Sequence, residues 1–271
     1  MKTAVITGGN SGMGKAIALE LAKKNYRIII HGRDKEKTNM ALAELKSLSG
    51  NSNIEAIVED ISSVKGMKEL ARKIKAQTNE IHALVLSTGV ILSKHELTDD
   101  KLEKGFAIQY LSRFAVTQLL LEELMRGKAK IVLVGATKIR NAKIYFDDLA
   151  LLSNFTMLRA MAQEMFCNHL FVQEFAKRYN ADSMVMNMGH VGVASTGIAR
   201  HMNFIFRLGL KLLAQSAQKA AANFVYLASD DTVTFSGYFF KNPKSNQVKE
   251  KINYDAALAE KLWNRSLELI N

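Results

Sequence analysis

The residues best suited to chemistry come at the start of the chain. Thr7-Gly8-Gly9-Asn10-Ser11-Gly12-Met13-Gly14 follows the short apolar run Thr3-Ala4-Val5-Ile6 and opens a helical pattern. Gly8 permits a tight turn, Gly12 lets backbone approach a pyrophosphate, and Gly14 lets a helix pack closely on a strand. A helix start adds unsatisfied N–H groups and the positive end of a dipole, so the chemistry implied is anion binding. A glycine turn with no ligand is the competing reading. The placement of this one, between a strand and an amphipathic helix, favours the ligand.

Alternating elements must position that loop. Helical patterns cover about Met13 to Lys24, Lys35 to Ser47, Val64 to Ala76, Leu102 to Leu124 and Leu149 to Tyr179. Between them lie the apolar runs Arg27 to His31, Ile54 to Val58, Ile81 to Leu86, Lys130 to Val134 and Ser183 to Asn187. The runs are continuous rather than alternating, as in strands covered on both sides. This order predicts right-handed βαβ units: an α/β fold with a single Rossmann-type, doubly wound, mostly parallel sheet and helices on both faces. No linker, repeat or low-complexity segment divides residues 1–271, so one dinucleotide-binding domain is expected.

Composition narrows the function classes. The 271 residues are 48% apolar and 23% charged, enough to bury a full core. The single Cys167 excludes an intrachain disulfide and a cysteine zinc site, and the six His are scattered, so no metal is expected. No apolar run is long enough to span a bilayer. Met1 leads almost directly into a strand, leaving no room for a signal peptide, so a cytoplasmic location is the default expectation. The formal charge of +11 is spread along the chain without a recognition motif. No nucleic-acid partner is expected; an anionic small molecule needs only a few of these charges.

The motif Thr-Gly-x-x-x-Gly-x-Gly resembles the short-chain dehydrogenase/reductase family, and the resemblance covers nearly the whole chain. Ser236-Gly237-Tyr238-Phe239-Phe240, Ala259-Glu260-Lys261-Leu262-Trp263 and Phe175-Ala176-Lys177-Arg178 resemble its retinol-dehydrogenase-like branch. The resemblance implies a seven-stranded sheet and a nicotinamide dinucleotide. The second strand ends His31-Gly32-Arg33-Asp34, where Arg33 can pair with a ribose 2′-phosphate and Lys15 can assist. NADP(H) is therefore favoured over NAD(H). The competing reading makes Arg33 a surface residue and Asp34 a helix start. Asp60, followed by Ile61, matches the family aspartate that contacts adenine, with capping of the next helix as the alternative. Ser87, Thr88 and Gly89 after the fourth strand, and Gly189 after the sixth, fall at the nicotinamide end.

The family carries out its proton chemistry with Asn, Ser, Tyr and Lys. Those positions here hold Gln109, Ala136, Met161 and Met165. A thioether neither donates a proton nor carries charge. Glycines that shape backbone remain, whereas proton-handling groups are gone. Among substitutes, Thr137 follows the lost serine, and His190 is the best acid on chemical grounds. Tyr110, Tyr145 and Lys138 are weaker, Glu164 shares the long helix, and Cys167 reads as core. Met157, Met161 and Met165 form a stripe, either core packing or an apolar floor for a greasy ligand. Residues 190–215 fall at the family's substrate lid. Within them Phe204 to Leu213 reads as a lid over an apolar substrate or, with Arg207 and Lys211 on one face, as a peripheral membrane contact.

The leading reading is a divergent NADP(H)-binding oxidoreductase acting on an apolar small molecule without the usual Ser-Tyr-Lys set. The alternatives are a non-catalytic cofactor-binding pseudoenzyme or partner protein, or a non-redox enzyme using the same pocket. The helices over Leu102 to Leu124 and Leu149 to Tyr179 form the family's dimer surface. Phe114, Leu119 and Leu120 would serve either a homodimer or the core.

Overall fold

A computed structural model of the chain describes residues 1–90, 92–190, 217–240 and 249–271. Seven strands run parallel: β1 Thr3–Thr7, β2 Arg27–Gly32, β3 Ile54–Val58, β4 Ala83–Leu86, β5 Lys130–Gly135, β6 Val185–His190 and β7 Tyr238–Phe240. A short β8, Lys249–Lys251, adds antiparallel to β7, giving the order β3-β2-β1-β4-β5-β6-β7-β8. The eighth strand extends the expected seven at one edge.

Successive strand residues point to opposite faces. Val5, Ile29, Leu84 and Ile131 therefore enter one core, and Ala4, Ile6, Ile28, Ile30, Val85 and Val132 enter the other. The second core is closed by α1 Gly12–Lys23, α2 Lys35–Ser49 and α8 Ala217–Ser229. The first is closed by α3 Val64–Lys75, α5 Ser112–Leu119, α7 Met157–Arg178 and α9 Ala256–Ile270. β1 lies between β2 and β4, so the sheet order reverses beside it and leaves a crevice beyond the strand ends.

Several expected boundaries move. α7 starts at Met157, not Leu149, because Leu151 adopts a left-handed φ of 55° and Asp148 accepts from Leu152 N and Ser153 N. Thr156 then caps the helix by accepting from Arg159 N at 3.1 Å. The helix expected over Leu102 to Leu124 is broken into α4 Lys104–Phe106, a π turn Ala107–Leu111, α5, and α6 Leu121–Arg126. β6 begins two residues late and runs on to His190, because Ser183 and Met184 turn back to bond Asn180 O. The lid expected over 190–215 lies, except for His190, outside the described residues.

Phe114 and Leu120 are fully buried within this one chain, and Leu119 packs against the same core. Phe114 and Leu120 thus supply packing. Phe114 stacks edge-on with Phe171 at 5.4 Å and Trp263 at 5.1 Å, which ties α5, α7 and α9 together. Phe114→Ala is expected to cost about 3–5 kcal/mol in urea unfolding. Leu48→Ala, at an exposed position, should stay within about 0.5 kcal/mol of the parent.

Candidate cofactor site and its buried polar surround

The glycine turn leaves β1 at Thr7 and enters α1 at Gly12. Gly8 (φ 67°) and Gly12 (φ 52°) both take the left-handed conformation that a side chain strains. A Cβ on Gly14 would collide with Gly8 O and lie 2.7 Å from Ser87 Oγ. A Cβ on Gly8 would lie 3.1 Å from Thr88 Cα. The turn thus presses against the loop after β4. In front of Gly12 nothing lies within 4 Å of a built Cβ. Lys15 N is the first α1 amide to find a helical partner, at Ser11 O, which leaves the Gly12, Met13 and Gly14 amides at the open helix start. Ser11 is the N-cap residue, yet its side chain makes no capping bond. Thr88 Oγ1 is buried without a hydrogen-bond partner among the described residues. Open backbone, an idle hydroxyl and an orphaned buried hydroxyl fit a polyanionic ligand along this crevice.

The other expected cofactor residues divide into those that face the crevice and those that build it. Asn10 Nδ2 donates to Thr38 Oγ1 at 3.0 Å, locking the turn to α2. Met13 and Ile61 are buried core residues, so any contact to a ligand is through their backbone. Arg33 is exposed and makes no hydrogen bond or ion pair with any described residue. Asp34 caps α2, its Oδ1 accepting from Lys37 N at 2.8 Å, so its carboxylate is already used. Lys15 pairs with Glu44 of α2 at 2.8 Å. Asp60 accepts from Ser62 N at 2.9 Å, and Ser63 caps α3 instead. Asp60 is exposed beyond β3. Ser87 N donates to Thr7 Oγ1 at 3.2 Å. Gly89 lies beside Gln109, whose Oε1 is 3.1 Å from a built Cβ, and a Cβ on Gly189 would meet the Phe224 ring.

His31 buttresses the turn from beneath. Its Nε2 lies 3.0 Å from Glu59 O, an acceptor only, so Nε2 carries the proton and Nδ1 accepts from Gly8 N at 3.5 Å. Its backbone O also accepts from Gly9 N at 2.9 Å.

Ala136 O accepts from His169 Nε2 at 3.0 Å. Thr137 is exposed. Met161 and Met165 are half-buried, and Met157 is 44% exposed. The methionine stripe is therefore not core packing. His190 ends β6, half-buried, with Nδ1 unpartnered among the described residues and Phe239 6.3 Å away. Burial lowers its pKa, which disfavours it as a charged acid. Tyr110 is excluded as a donor: it is fully buried and bonds Ser266 Oγ at 2.6 Å. Tyr145 sits beside Arg159 with its backbone N bonded to Gln163, and Lys138 lies over the Phe166 and Tyr254 rings at 4.6 and 4.2 Å. Cys167 is buried core, as expected.

Sequence reasoning did not foresee the group behind Gln109. Gln109 Nε2 donates to Glu164 Oε2. Asn168 Nδ2 donates to Gln109 O at 3.0 Å and Glu164 O at 2.8 Å. Arg113 is buried, donating to Asn168 Oδ1 at 3.1 Å and Thr88 O at 2.9 Å. Burial, then the neighbouring Glu103 charge, pushes the Glu164 carboxyl up to about 9, with Arg113 opposing. Glu164 is therefore neutral near pH 7. Burial also lowers the Arg113 guanidinium to about 10, which still leaves it charged at that pH. The recoverable signal was spacing: Gln109 with Arg113, and Glu164 with Asn168, are polar pairs four apart.

Comparison with known proteins places this geometry. The short chain dehydrogenase pattern matches residues 2–145. Mouse retinol dehydrogenase 13 is 30% identical, over 99% of this chain and 84% of its own length. The structure of an uncharacterized protein from Mycobacterium paratuberculosis has a TM-score of 0.75 at 22% identity, covering 100% of this chain and 93% of that one. That of a 3-oxoacyl (acyl-carrier-protein) reductase from Agrobacterium tumefaciens with NADP bound has a TM-score of 0.71 at 19% identity, covering 89% and 92%. The chain belongs to the short-chain dehydrogenase family of oxidoreductases. Within that family it is similar over nearly its whole length to retinol dehydrogenases.

The buried His31 gives a pH test. Desolvation lowers its pKa below 6.5, outweighing the Glu59 carbonyl and the nearby Glu59 and Asp60 charges. Folding favours the neutral ring, so its contribution is complete above the unfolded-state value and is lost as pH falls below it toward the folded-state value. Chemical denaturation at about pH 7.5 and 5 should show a smaller acid-side loss in His31→Gln than in the parent. Equal losses would remove His31 from the turn's support.

Proposed function

We propose that this protein is a nicotinamide dinucleotide-dependent oxidoreductase that prefers NADP(H) and acts on an apolar small molecule without the family's tyrosine acid. The observation that carries the reading is the crevice at the sheet's order reversal. There the Gly12 helix start is open, the Ser11 side chain makes no capping bond, and the Thr88 hydroxyl is buried without a partner among the described residues. Arg33 supports the choice of dinucleotide: it is a cation at the end of β2 with no partner among the described residues, and no acid takes its place, since Asp34 is engaged as a cap. The dinucleotide would supply or accept hydride. This chain's residues hold and orient it. Gly8 and Gly14 let the turn close on Ser87 and Thr88, and the α1 amides face the phosphates.

Two features support an apolar substrate. Met161 and Met165 form a half-buried floor where the family has Tyr and Lys. The similar mouse protein is a retinol dehydrogenase, named for an apolar alcohol. The missing acid sets the expected rate, because general acid–base catalysis contributes roughly 10²–10⁴-fold. The similarity to retinol dehydrogenases favours a redox role over the pseudoenzyme reading, and the lost tetrad favours slow turnover within it.

Calorimetric titration should show NADPH binding more tightly than NADH, and Arg33→Asp should reverse or abolish that preference. Equal affinity in the parent removes the Arg33 role. Wild-type turnover on retinoids and simple aldehydes should be negligible. Combining Ala136→Ser, Met161→Tyr and Met165→Lys should raise carbonyl reduction on the order of 10²-fold. The half-buried sites admit the phenol and ammonium at little desolvation cost. Parent turnover at an ordinary enzymatic rate would show that another donor already works at full strength.

A further inference from the structure

Glu164 is 5% exposed on α7, one residue before the position of the missing lysine. The other buried acid of that helix, Glu174, has Arg178 at 2.7 Å. Among the described residues no cation forms an ion pair with Glu164, although Arg113 lies near enough to oppose the upward shift of its carboxyl. Its Oε2 accepts from Gln109, and its Oε1 sits against Gly105, where any Cβ would collide with it. Glu103 crowds the same glycine, both its oxygens held by Gly105 N at 2.8 Å and Phe106 N at 2.6 Å. Arg113 bonds the neutral oxygens of Thr88 and Asn168, and its Nε has no partner among the described residues. Gln109 and Arg113 thus both reach the Ser87–Gly89 loop, and that loop is what the glycine turn closes upon.

We propose that Glu164 is a positioning residue. Its neutral carboxyl anchors Gln109 and leaves Arg113 to clamp the Ser87–Gly89 loop against the glycine turn, and its ionisation releases the clamp and weakens dinucleotide binding. The inference rests on the dinucleotide reading for its last clause only. The physical cause is competition. A Glu164 carboxylate would draw the buried guanidinium from a carbonyl to a charge, since charge-assisted bonds are roughly twice as strong. It would also repel Glu103 in a medium of low polarity. The titratable and charged groups around Glu164 are Glu103 before α4, Arg113 of α5 and the Cys167 thiol of α7, which burial pushes up. Tyr110 of the π turn faces Ser266 and couples to Cys167, and His169 faces Ala136 O with Lys138 nearby.

The test is a titration of the full-length ¹⁵N-labelled protein from about pH 7 to 10, following the Gln109 side-chain amide and the Thr88 and Gly89 backbone amides. In the parent these should move together in one transition near pH 9. In Glu164→Gln they should stay flat. In Glu103→Gln, which leaves Glu164 in place without its anionic neighbour, the transition should move toward lower pH. Over the same range NADPH affinity, read by nucleotide fluorescence, should weaken on the order of tenfold in the parent and be unchanged in Glu164→Gln. A Gln109 amide that does not titrate, or one that titrates alike in parent and Glu164→Gln, overturns the positioning role. Titrating amides with pH-independent NADPH affinity overturn the clamp. No NADPH binding at any pH overturns the dinucleotide reading instead, and the amide titration still decides the role of Glu164.

Discussion

The rest of the site depends on one close approach. The turn after β1 crosses the loop after β4 at the place where the sheet order reverses, and the two backbones come within van der Waals contact. No Cβ fits at Gly14, and one at Gly8 would press on Thr88. This contact sets the mouth of the crevice, so whatever fixes either backbone fixes the site. His31 holds the turn from the β2 side through Gly8 N and Gly9 N. Arg113 holds the loop from the α5 side through Thr88 O. Both supports are buried polar groups, which are costly when unpaired and rigid when paired.

What was legible in the sequence follows from range. The glycine turn, strands β1 to β5 and the doubly covered sheet rest on local spacing and alternation, and the folded chain keeps them. The start of α7 was not legible, because apolar residues run through Leu149 to Leu152 as a helix would require. The left-handed Leu151 and the Asp148 cap, which end that pattern, depend on tertiary fit. The methionine stripe was visible as a stripe, but its exposure was not, since exposure is decided by what packs opposite. Asp34, Asp60 and Lys15 show the same limit. Each had the right charge in the right place, and only the folded chain reveals that Asp34 caps a helix, Ser63 relieves Asp60 of capping, and Glu44 occupies Lys15.

The polar network behind Gln109 was the least legible, because its partners lie 55 residues apart on different helices. It nevertheless accounts for several residues that look unrelated along the chain. Glutamine at the family's asparagine position is one methylene longer, and that length lets its amide reach Glu164. Glu164 can come forward only because residue 105 is glycine. Asn168 accepts from Arg113 while bonding the backbone oxygens of both Gln109 and Glu164.

The protonation of Glu164 belongs to the same set. Burial disfavours its charged form, and the Glu103 carboxylate, held by the Gly105 and Phe106 amides, disfavours it further. Arg113 opposes both, but burial and Glu103 prevail and the carboxyl keeps its proton. Arg113 bonds Thr88 O, one residue from Gly89 and against the glycine turn. A neutral acid behind Gln109 and a loop held by Arg113 are then two parts of a single electrostatic arrangement.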